Sequence, residues 1–198
     1  MFGKKREAIW RLVAEQLQGT FVKGGAWKSD RVRVDHDDWT ITLDQYVVST
    51  GKVTFIVTRM RAPFVSASPF RFTVSRTNLL SPVARLLGMM DIEVGDPPFD
   101  KDFVIKANDE IRVRQLLGST RLRELIASQK DIKFAIRDDE GWFGSKFPPG
   151  VDELVYEVIG TIEDLDRLKR LFDLFAVTLD ELERIGVAKP DPPGVTLK

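Results

Sequence analysis

The residues best suited to chemistry lie in one short stretch, Asp35-His36-Asp37-Asp38. His36 is the single histidine of the chain, and an imidazole flanked by carboxylates can bind a divalent metal or transfer a proton near neutral pH. Neighbouring residues on a strand or turn point in diverging directions, however, so they seldom converge on one ion. The composition favours a solvated hairpin turn and leaves Asp35, His36 and Asp37 as secondary metal candidates.

Other catalytic signatures are missing from the sequence. The chain has no cysteine, which excludes a cysteine nucleophile and thiolate-bound zinc, and it has no G-x-S-x-G elbow, phosphate-binding loop or dinucleotide fingerprint. Carboxylate pairs such as Asp100 and Asp102 could support glycoside hydrolysis, but 30 acidic residues produce such pairs by chance. The sequence therefore predicts no catalytic residue and no cofactor.

Charge is unevenly distributed along the chain. Between Gln45 and Met90 there are six basic residues and no acidic one, whereas Asp91 to Glu110 contains seven acids and two lysines. Arginines on neighbouring strands could bind phosphate or single-stranded nucleic acid, or they could pair with the acidic segment. The overall net charge of +0 favours internal pairing. The anion-binding candidates are Arg59, Arg61, Arg71 and Arg76.

A loop from Asp138 to Val151 is a candidate partner surface. It places Trp142, Phe143 and Phe147 among glycines and prolines, and exposed aromatic side chains often anchor interfaces. The alternative is that these side chains fold back over the edge of a sheet, and the sequence leaves both possibilities open.

The amino-terminal segment is basic and amphipathic. Lys4, Lys5 and Arg6 precede apolar residues at helical spacing, an arrangement that can lie at a membrane surface. Glu7 and Glu15 weaken attraction to anionic lipid, so the sequence favours docking of this helix onto the protein body.

Strands and helices are predicted in both halves of the chain. Alternating apolar residues and turn signals predict strands, which are Thr20–Lys23, Arg31–Asp35, Trp39–Asp44, Lys52–Arg61, Phe70–Arg76, Phe103–Lys106, Ile132–Arg137 and Glu153–Ile162. Spacings of three and four predict helices over Phe2–Gln18, Asn78–Met90, Asn108–Leu117, Ser119–Ile126 and Asp164–Gly186.

These elements predict an α+β fold. A β-rich amino half packs with a β-α-α-β-β-α carboxyl half, and the long C-terminal helix crosses the sheet. The loop Gly95-Asp96-Pro97-Pro98 suggests a boundary between lobes at 1–95 and 96–187, which can form one compact domain. The Pro-rich tail 188–198 is expected to be extended and mobile.

The expected location is the cytoplasm. The absence of cysteine fits a reducing compartment, and Arg11, Glu15 and Gln16 interrupt any signal-peptide-like apolar run. The longest stretch with few charges, Gln45 to Val57, is too short to span a bilayer.

Residues Leu87 to Leu117 resemble a group of uncharacterised bacterial proteins that share an F-D-x-x-F-x-I-x-x-N-D pattern before a helix ending in Leu-Leu. Here that pattern runs from Phe99-Asp100 to Asn108-Asp109, with Leu116-Leu117 after it, and the likeness extends over residues 19–185. The group has no assigned catalytic residue or ligand, so the resemblance implies a bacterial protein of unknown function. Some looser relatives carry membrane segments, which are not recognised here.

Local folding roles account for the same motif. Phe99 and Phe103 are expected to anchor the entry to a strand, Asp100 and Asp102 to remain in solvent or cap a turn, and Asn108 to cap a helix.

Three functional hypotheses follow. The favoured one is a non-catalytic binding or interaction module for a protein or small ligand. The second is a metal-dependent hydrolase or transferase using Asp35 to Asp38, and the third is a binder of anionic ligands or nucleic acid through Arg59, Arg61 and Arg71. Overall neutrality disfavours nucleic acid, and peripheral membrane contact stays open.

Overall fold

The computed structural model describes residues 2–25, 29–77, 89–139, 146–195 and 197 of the chain. The helix predicted over Asn78–Met90 lies outside these residues except at its end, where Met90 belongs to a short strand.

The described residues form strands and helices in both halves. The strands are β1 (Thr20–Val22), β2 (Arg31–His36), β3 (Trp39–Ser49), β4 (Thr54–Ser66), β5 (Phe72–Arg76), β6 (Met90–Asp91), β7 (Phe103–Ala107), β8 (Lys133–Arg137), β9 (Val151–Ile159) and β10 (Ala188–Lys189). The helices are α1 (Phe2–Gln16), α2 (Pro97–Asp102), α3 (Glu110–Leu117), α4 (Thr120–Ala127) and α5 (Leu165–Arg184).

All ten strands belong to one antiparallel sheet. Its order is β1-β2-β3-β4-β9-β8-β5-β7-β6, and β10 pairs with the end of β4. The α+β class and the long C-terminal helix are therefore confirmed. Strands from both predicted lobes share this sheet, because β9 and β8 pair with β4 and β5 respectively. The boundary near residue 95 stays a prediction.

Helix α5 covers the sheet with one apolar stripe. Its buried residues recur at spacings of three and four, and they include Leu168, Leu171, Phe172, Phe175, Leu179 and Leu182. Phe134 of β8 contacts Phe72 and Phe175 edge to face, with ring centroids 5.6 and 5.5 Å away. The Asp164 side chain accepts a hydrogen bond from the Arg167 amide at 2.9 Å and so caps the start of α5.

Helix α2 occupies the place where the sequence predicted a loop at Gly95 to Pro98. The Asp96 side chain caps this helix by accepting from the Phe99 amide at 3.3 Å, and prolines fill its first positions, where a missing N–H costs nothing. The prolines therefore begin a helix, and the prediction of a loop throughout this stretch was wrong.

The motif residues around α2 have structural roles. Phe99 and Phe103 are buried and stack with their centroids 4.6 Å apart, as the sequence led us to expect. The Asp100 carboxylate accepts hydrogen bonds from three amides, those of Val94, Gly95 and Asp96, at 2.8, 3.0 and 3.1 Å. Asp100 therefore fixes the turn that leads into α2.

The cap of α3 is one residue later than predicted. Asp109, not Asn108, accepts from the Arg112 amide at 3.0 Å. The Asn108 side chain instead accepts from the Arg71 amide at 2.8 Å and donates to the Pro69 carbonyl at 2.7 Å. Asn108 thus joins the end of β7 to the chain that leads into β5.

The segment predicted as a flexible tail packs against the sheet. Residues Ala188 and Lys189 pair with Ser66 and Val65 of β4, and Leu197 is buried. The Arg31 guanidinium donates to the Leu197 carbonyl at 3.0 Å. Backbone pairing and apolar burial hold this segment, so it does not leave the protein body at residue 188.

We predict that Asp100→Ala lowers the free energy of unfolding by about 1–3 kcal/mol, because it leaves backbone donors without their acceptor. Urea denaturation measures the change. Asp102→Ala in the same helix is the matched control, since the Asp102 side chain is 60% exposed and 3.8 Å from its nearest cation, Arg76. Equal losses in the two variants would contradict the role assigned to Asp100.

Candidate functional site

Two of the four arginines that the sequence singled out, Arg59 and Arg61, lie within a strip of charged side chains on one face of the sheet. This ion-pair strip consists of Asp44 on β3, Arg59 and Arg61 on β4, Glu157 on β9 and Arg137 on β8. The strand register places Asp44 opposite Arg59 and Arg59 opposite Glu157. Opposite charges on adjacent strands therefore meet directly.

Asp44 is the centre of the ion-pair strip. Its carboxylate accepts two hydrogen bonds from Arg59, at 2.9 and 3.0 Å, and one from Arg61 at 2.8 Å. Asp44 and Arg61 are buried, at 1% and 0% exposure. A guanidinium buried in this way is not presented to an external anion.

Arg71 and Arg76 also have partners within the protein. Arg71 donates to both oxygens of Asp152, at 2.7 and 2.6 Å. Arg76 lies over the Phe103 ring and donates to the Gln129 carbonyl at 3.0 and 2.8 Å. Binding of an external anion by the four arginines stays a prediction.

The partners differ from those expected for internal pairing. The sequence suggested that the arginines would face the acidic segment Asp91 to Glu110, but Arg59, Arg61 and Arg71 form ion pairs with Asp44, Glu153 and Asp152. The Arg76 guanidinium does approach an acid of that segment, at 3.8 Å from Asp102. The register between strands decides which carboxylate each arginine meets. A count of charges along one sequence does not contain that register.

The electrostatics of the strip follow from burial and pairing. Burial alone would raise the pKa of the Glu157 carboxyl, but the hydrogen bond and charge of Arg137, together with the Tyr46 hydroxyl, lower that pKa below its usual range. Burial and then the charge of Glu157 raise the pKa of Tyr46 above its ordinary value. The strip thus keeps Glu157 ionised and Tyr46 protonated at neutral pH.

The single histidine lies at the end of β2, beside the carboxyl-terminal half of α5. Its Nε2 atom is 2.6 Å from the Asp180 carboxylate, so each of these two side chains has a hydrogen-bonding partner within the protein. Asp37 is close enough for one ligand atom from each of the three residues to lie within 4.8 Å of the others. Binding of a divalent cation by Asp35, His36 and Asp37, the residues that the sequence suggested, stays a prediction.

The predicted cluster and the observed one differ in membership. Asp35 accepts a hydrogen bond from the Thr40 hydroxyl at 2.7 Å and is not part of the group around His36. Asp180 is 144 positions from His36 along the chain, and nothing in the sequence links the two.

The aromatic loop is described only in part. Trp142 and Phe143 lie outside the described residues, so their role as a partner surface stays a prediction. Phe147 is half-buried, and its amide donates to the Asp138 carbonyl at 3.2 Å.

An exposed apolar surface that the sequence analysis missed lies at one end of the sheet. We call it the aliphatic end, and it consists of Val47, Val53, Ile56 and Ile159, which are 64%, 60%, 42% and 71% exposed. Val47 pairs with Ile56 in the β3–β4 hairpin, and a bridge between Val57 and Gly160 brings the end of β9 alongside. The available signal was the stretch Gln45 to Val57, in which Lys52 is the only charged residue.

Helix α1 starts beside the aliphatic end. Its buried Trp10 donates to the Ile162 carbonyl at 3.3 Å, so the helix is docked on the protein body, as the sequence favoured. Arg6 donates to Gln45, two residues before Val47, at 2.8 Å. Lys4 and Lys5 are exposed on the first turns of this helix.

Comparison with known proteins adds a fold likeness only. The chain matches no protein-family model and no curated protein sequence. Among solved structures it is similar to the crystal structure of the mycobacterial trehalose monomycolate transport factor A, TtfA, with 9% sequence identity and a TM-score of 0.47. The alignment covers 87% of this chain and 95% of that chain. A similarity at this level carries no argument about function.

Membership of the uncharacterised bacterial group stays a prediction. None of the helices in the described part of the chain combines the length and the apolarity needed to cross a bilayer.

Asp44→Ala is expected to lower the free energy of unfolding by about 3–5 kcal/mol, because it removes a buried carboxylate that pairs with both Arg59 and the buried Arg61 and leaves more positive than negative charge there. Urea denaturation at neutral pH gives the value. Glu110→Ala provides the control, since Glu110 forms an exposed pair with Arg114 four residues along α3 and its loss costs about 0.5 kcal/mol or less. A loss below about 1 kcal/mol for Asp44→Ala would show that the pair is not buried as described.

Glu157 is expected to make stability depend on pH in the acid range. Its pKa is lower in the folded protein than its ordinary value of 4.5, so the unfolded chain binds protons first as the pH falls. The stabilisation is complete above pH 4.5 and is lost as the pH falls through the folded pKa. In urea denaturation at a series of pH values, the difference in unfolding free energy between wild type and Glu157→Gln should shrink in acid. A constant difference would contradict the assignment.

Proposed function

We propose that the protein is a non-catalytic binding module that docks through its aliphatic end onto the surface of an anionic lipid bilayer. The observation that carries this proposal is the clustering of Val47, Val53, Ile56 and Ile159, all exposed, at one end of the sheet. Isolated apolar residues on a surface are ordinary, whereas a group on the β3–β4 hairpin and the neighbouring end of β9 marks an interaction site.

The arrangement suits shallow insertion into a bilayer. Side chains alternate across a strand, so Val47 and Ile56 lie on one face of the sheet while Ile159 lies on the other. An apolar tip with side chains on both faces can insert among the acyl chains of a bilayer, which then surround it. A protein partner with a flat surface would cover only one face of the sheet. Full burial of each such side chain contributes about 1.5–3 kcal/mol, so four are enough for reversible docking.

The charges near the aliphatic end favour an anionic surface. Lys52 lies in the hairpin turn, the exposed Lys4 and Lys5 lie on the adjoining start of α1, and no acidic residue occurs between Gln45 and Met90. Each lysine near an anionic bilayer contributes about 1 kcal/mol. Hot spots for protein binding are instead enriched in Trp, Tyr and Arg. The exposed apolar residues of the aliphatic end are valines and isoleucines.

The location of the ionisable groups supports a non-catalytic role. The described groups on the sheet with shifted pKa values, such as Tyr46, Arg59 and Glu157, are held by one another or by Asp44 and Arg137. Such shifts arise in structural ion-pair networks as well as at active sites. The absence of cysteine favours the cytoplasmic leaflet as the docking surface.

Vesicle co-sedimentation tests the proposal. Wild-type protein should bind phosphatidylcholine vesicles that contain about 30% phosphatidylglycerol, and binding should weaken with salt. The double variant Val47→Asp/Ile159→Asp should bind at least about tenfold more weakly, because it places carboxylates at the apolar tip. Both changes are at exposed sites, so circular dichroism and thermal unfolding should match the wild type.

Ile111→Asp is the matched control. Ile111 is 72% exposed but lies on α3, and α3 contacts the far end of α5 through the bond from Arg184 to the Gln115 carbonyl. This variant should bind vesicles like the wild type. No vesicle binding by the wild type, or equal binding by all three proteins, would overturn the proposal. A wild-type dimer that Val47→Asp/Ile159→Asp converts to a monomer, without vesicle binding, would assign the surface to a second copy instead.

A further inference from the structure

A cleft of about 330 Å³ lies between the start of α1, the connection from α4 to β8 and the start of α5. Four basic side chains line it, and they come from these three separate parts of the chain: Lys5, Lys130, Arg167 and Arg170. This basic cleft is distinct from the ion-pair strip and from the group around His36.

Arg167 is held in a fixed orientation in the basic cleft. It donates to the Gln129 side chain at 3.3 Å and to the Tyr156 hydroxyl at 3.0 Å. Gln129 and Tyr156 are fully buried, and Tyr156 in turn donates to the Asp131 carbonyl at 2.9 Å. A guanidinium anchored on buried partners loses little entropy when it binds a ligand with its remaining N–H groups.

The two carboxylates in the basic cleft already have partners. Glu163 lies 3.2 Å from the Lys5 ammonium, and Asp164 accepts from the Arg167 amide as the cap of α5. Within the described part of the chain, Lys130, Arg167 and Arg170 form no ion pair. The basic cleft therefore has an excess of positive charge, contributed by side chains on two sides of the opening.

The basic cleft adjoins the aliphatic end. Thr161, which lines it, accepts from the Gln45 side chain at 3.1 Å, and it follows Ile159 by two residues. Gln45 precedes Val47 by two residues on β3. A bilayer that receives the hairpin tip therefore brings its headgroups to the opening of the basic cleft.

We propose that the basic cleft binds the phosphate monoester headgroup of a membrane lipid, an inference that rests on the proposed membrane docking. A phosphate monoester carries a charge of about −1.5 to −2 at neutral pH and has three acceptor oxygens. Arginine binds such a group with paired N–H donors, and lysine adds a point charge. The volume is at the lower end of the range of small-ligand sites, which suits a compact headgroup.

The first test compares two anionic lipids on vesicles of equal surface charge. One set contains phosphatidic acid, a phosphate monoester, and the other contains phosphatidylglycerol, a diester. Wild-type protein should prefer phosphatidic acid at least about fivefold. Lys130→Ala/Arg170→Ala should erase this preference while keeping most of the binding to phosphatidylglycerol. Arg112→Ala/Arg114→Ala removes the same charge from exposed pairs on α3 and should keep the preference.

Glycerol 3-phosphate in solution provides the second measurement. Titration followed by amide chemical shifts should perturb residues around Arg167 and Ser128 in the wild type and in Val47→Asp/Ile159→Asp, but not in Lys130→Ala/Arg170→Ala. Equal binding of the two lipids would overturn the headgroup assignment and leave the docking proposal intact. Shifts with glycerol 3-phosphate but no preference for phosphatidic acid would likewise overturn the lipid assignment, pointing to a free phosphate ester as the ligand.

Discussion

The carboxylate of Asp44 pairs with both Arg59 and Arg61 in the middle of the sheet, and together with Glu153 it balances the charge buried on the long strand β4. Arg61 is fully buried at the centre of that strand, and a buried guanidinium without a counter-ion costs several kcal/mol. Strand β4 in turn pairs with β3, β9 and β10, so it joins the two halves of the chain. One short acidic side chain on β3 therefore helps to bury the strand that connects the whole sheet.

Features with a local cause could be predicted from the sequence, and features with a distant cause could not. The apolar spacing of α5 is set by residues within a few positions, and the sequence predicted this helix from Asp164 to Gly186. The Asp180 partner of His36 and the Asp152 partner of Arg71 depend on tertiary packing and strand register, which spacing along the chain does not encode. The cap of α3 was misplaced by one residue because Asn108 and Asp109 are both good caps, and a distant contact with Arg71 occupies the first.

Charged side chains are distributed unevenly in the protein. Those within the sheet form ion pairs, whereas several at one end of the molecule have no such partner in the described part of the chain. Arg59 and Arg61 pair with Asp44 on the adjacent strand β3, and Arg71, just before β5, pairs with Asp152 on β9, so these arginines hold the sheet together. Three basic side chains that form no ion pair with the described residues, those of Lys130, Arg167 and Arg170, lie instead in the cleft that adjoins the exposed aliphatic residues. Apolar and cationic groups lie together at one end of the molecule, and the proposed docking on an anionic lipid surface requires this combination.

The outermost strands of the sheet are very short. Strand β1 has three residues and β6 has two, so the two margins offer few unpaired amides and carbonyls to another chain. A long, flat edge strand can form backbone hydrogen bonds with a strand of another copy, and such pairing leads to aggregation. Because β1 and β6 are this short, a second copy of the chain finds little backbone beyond either of them with which to extend the sheet.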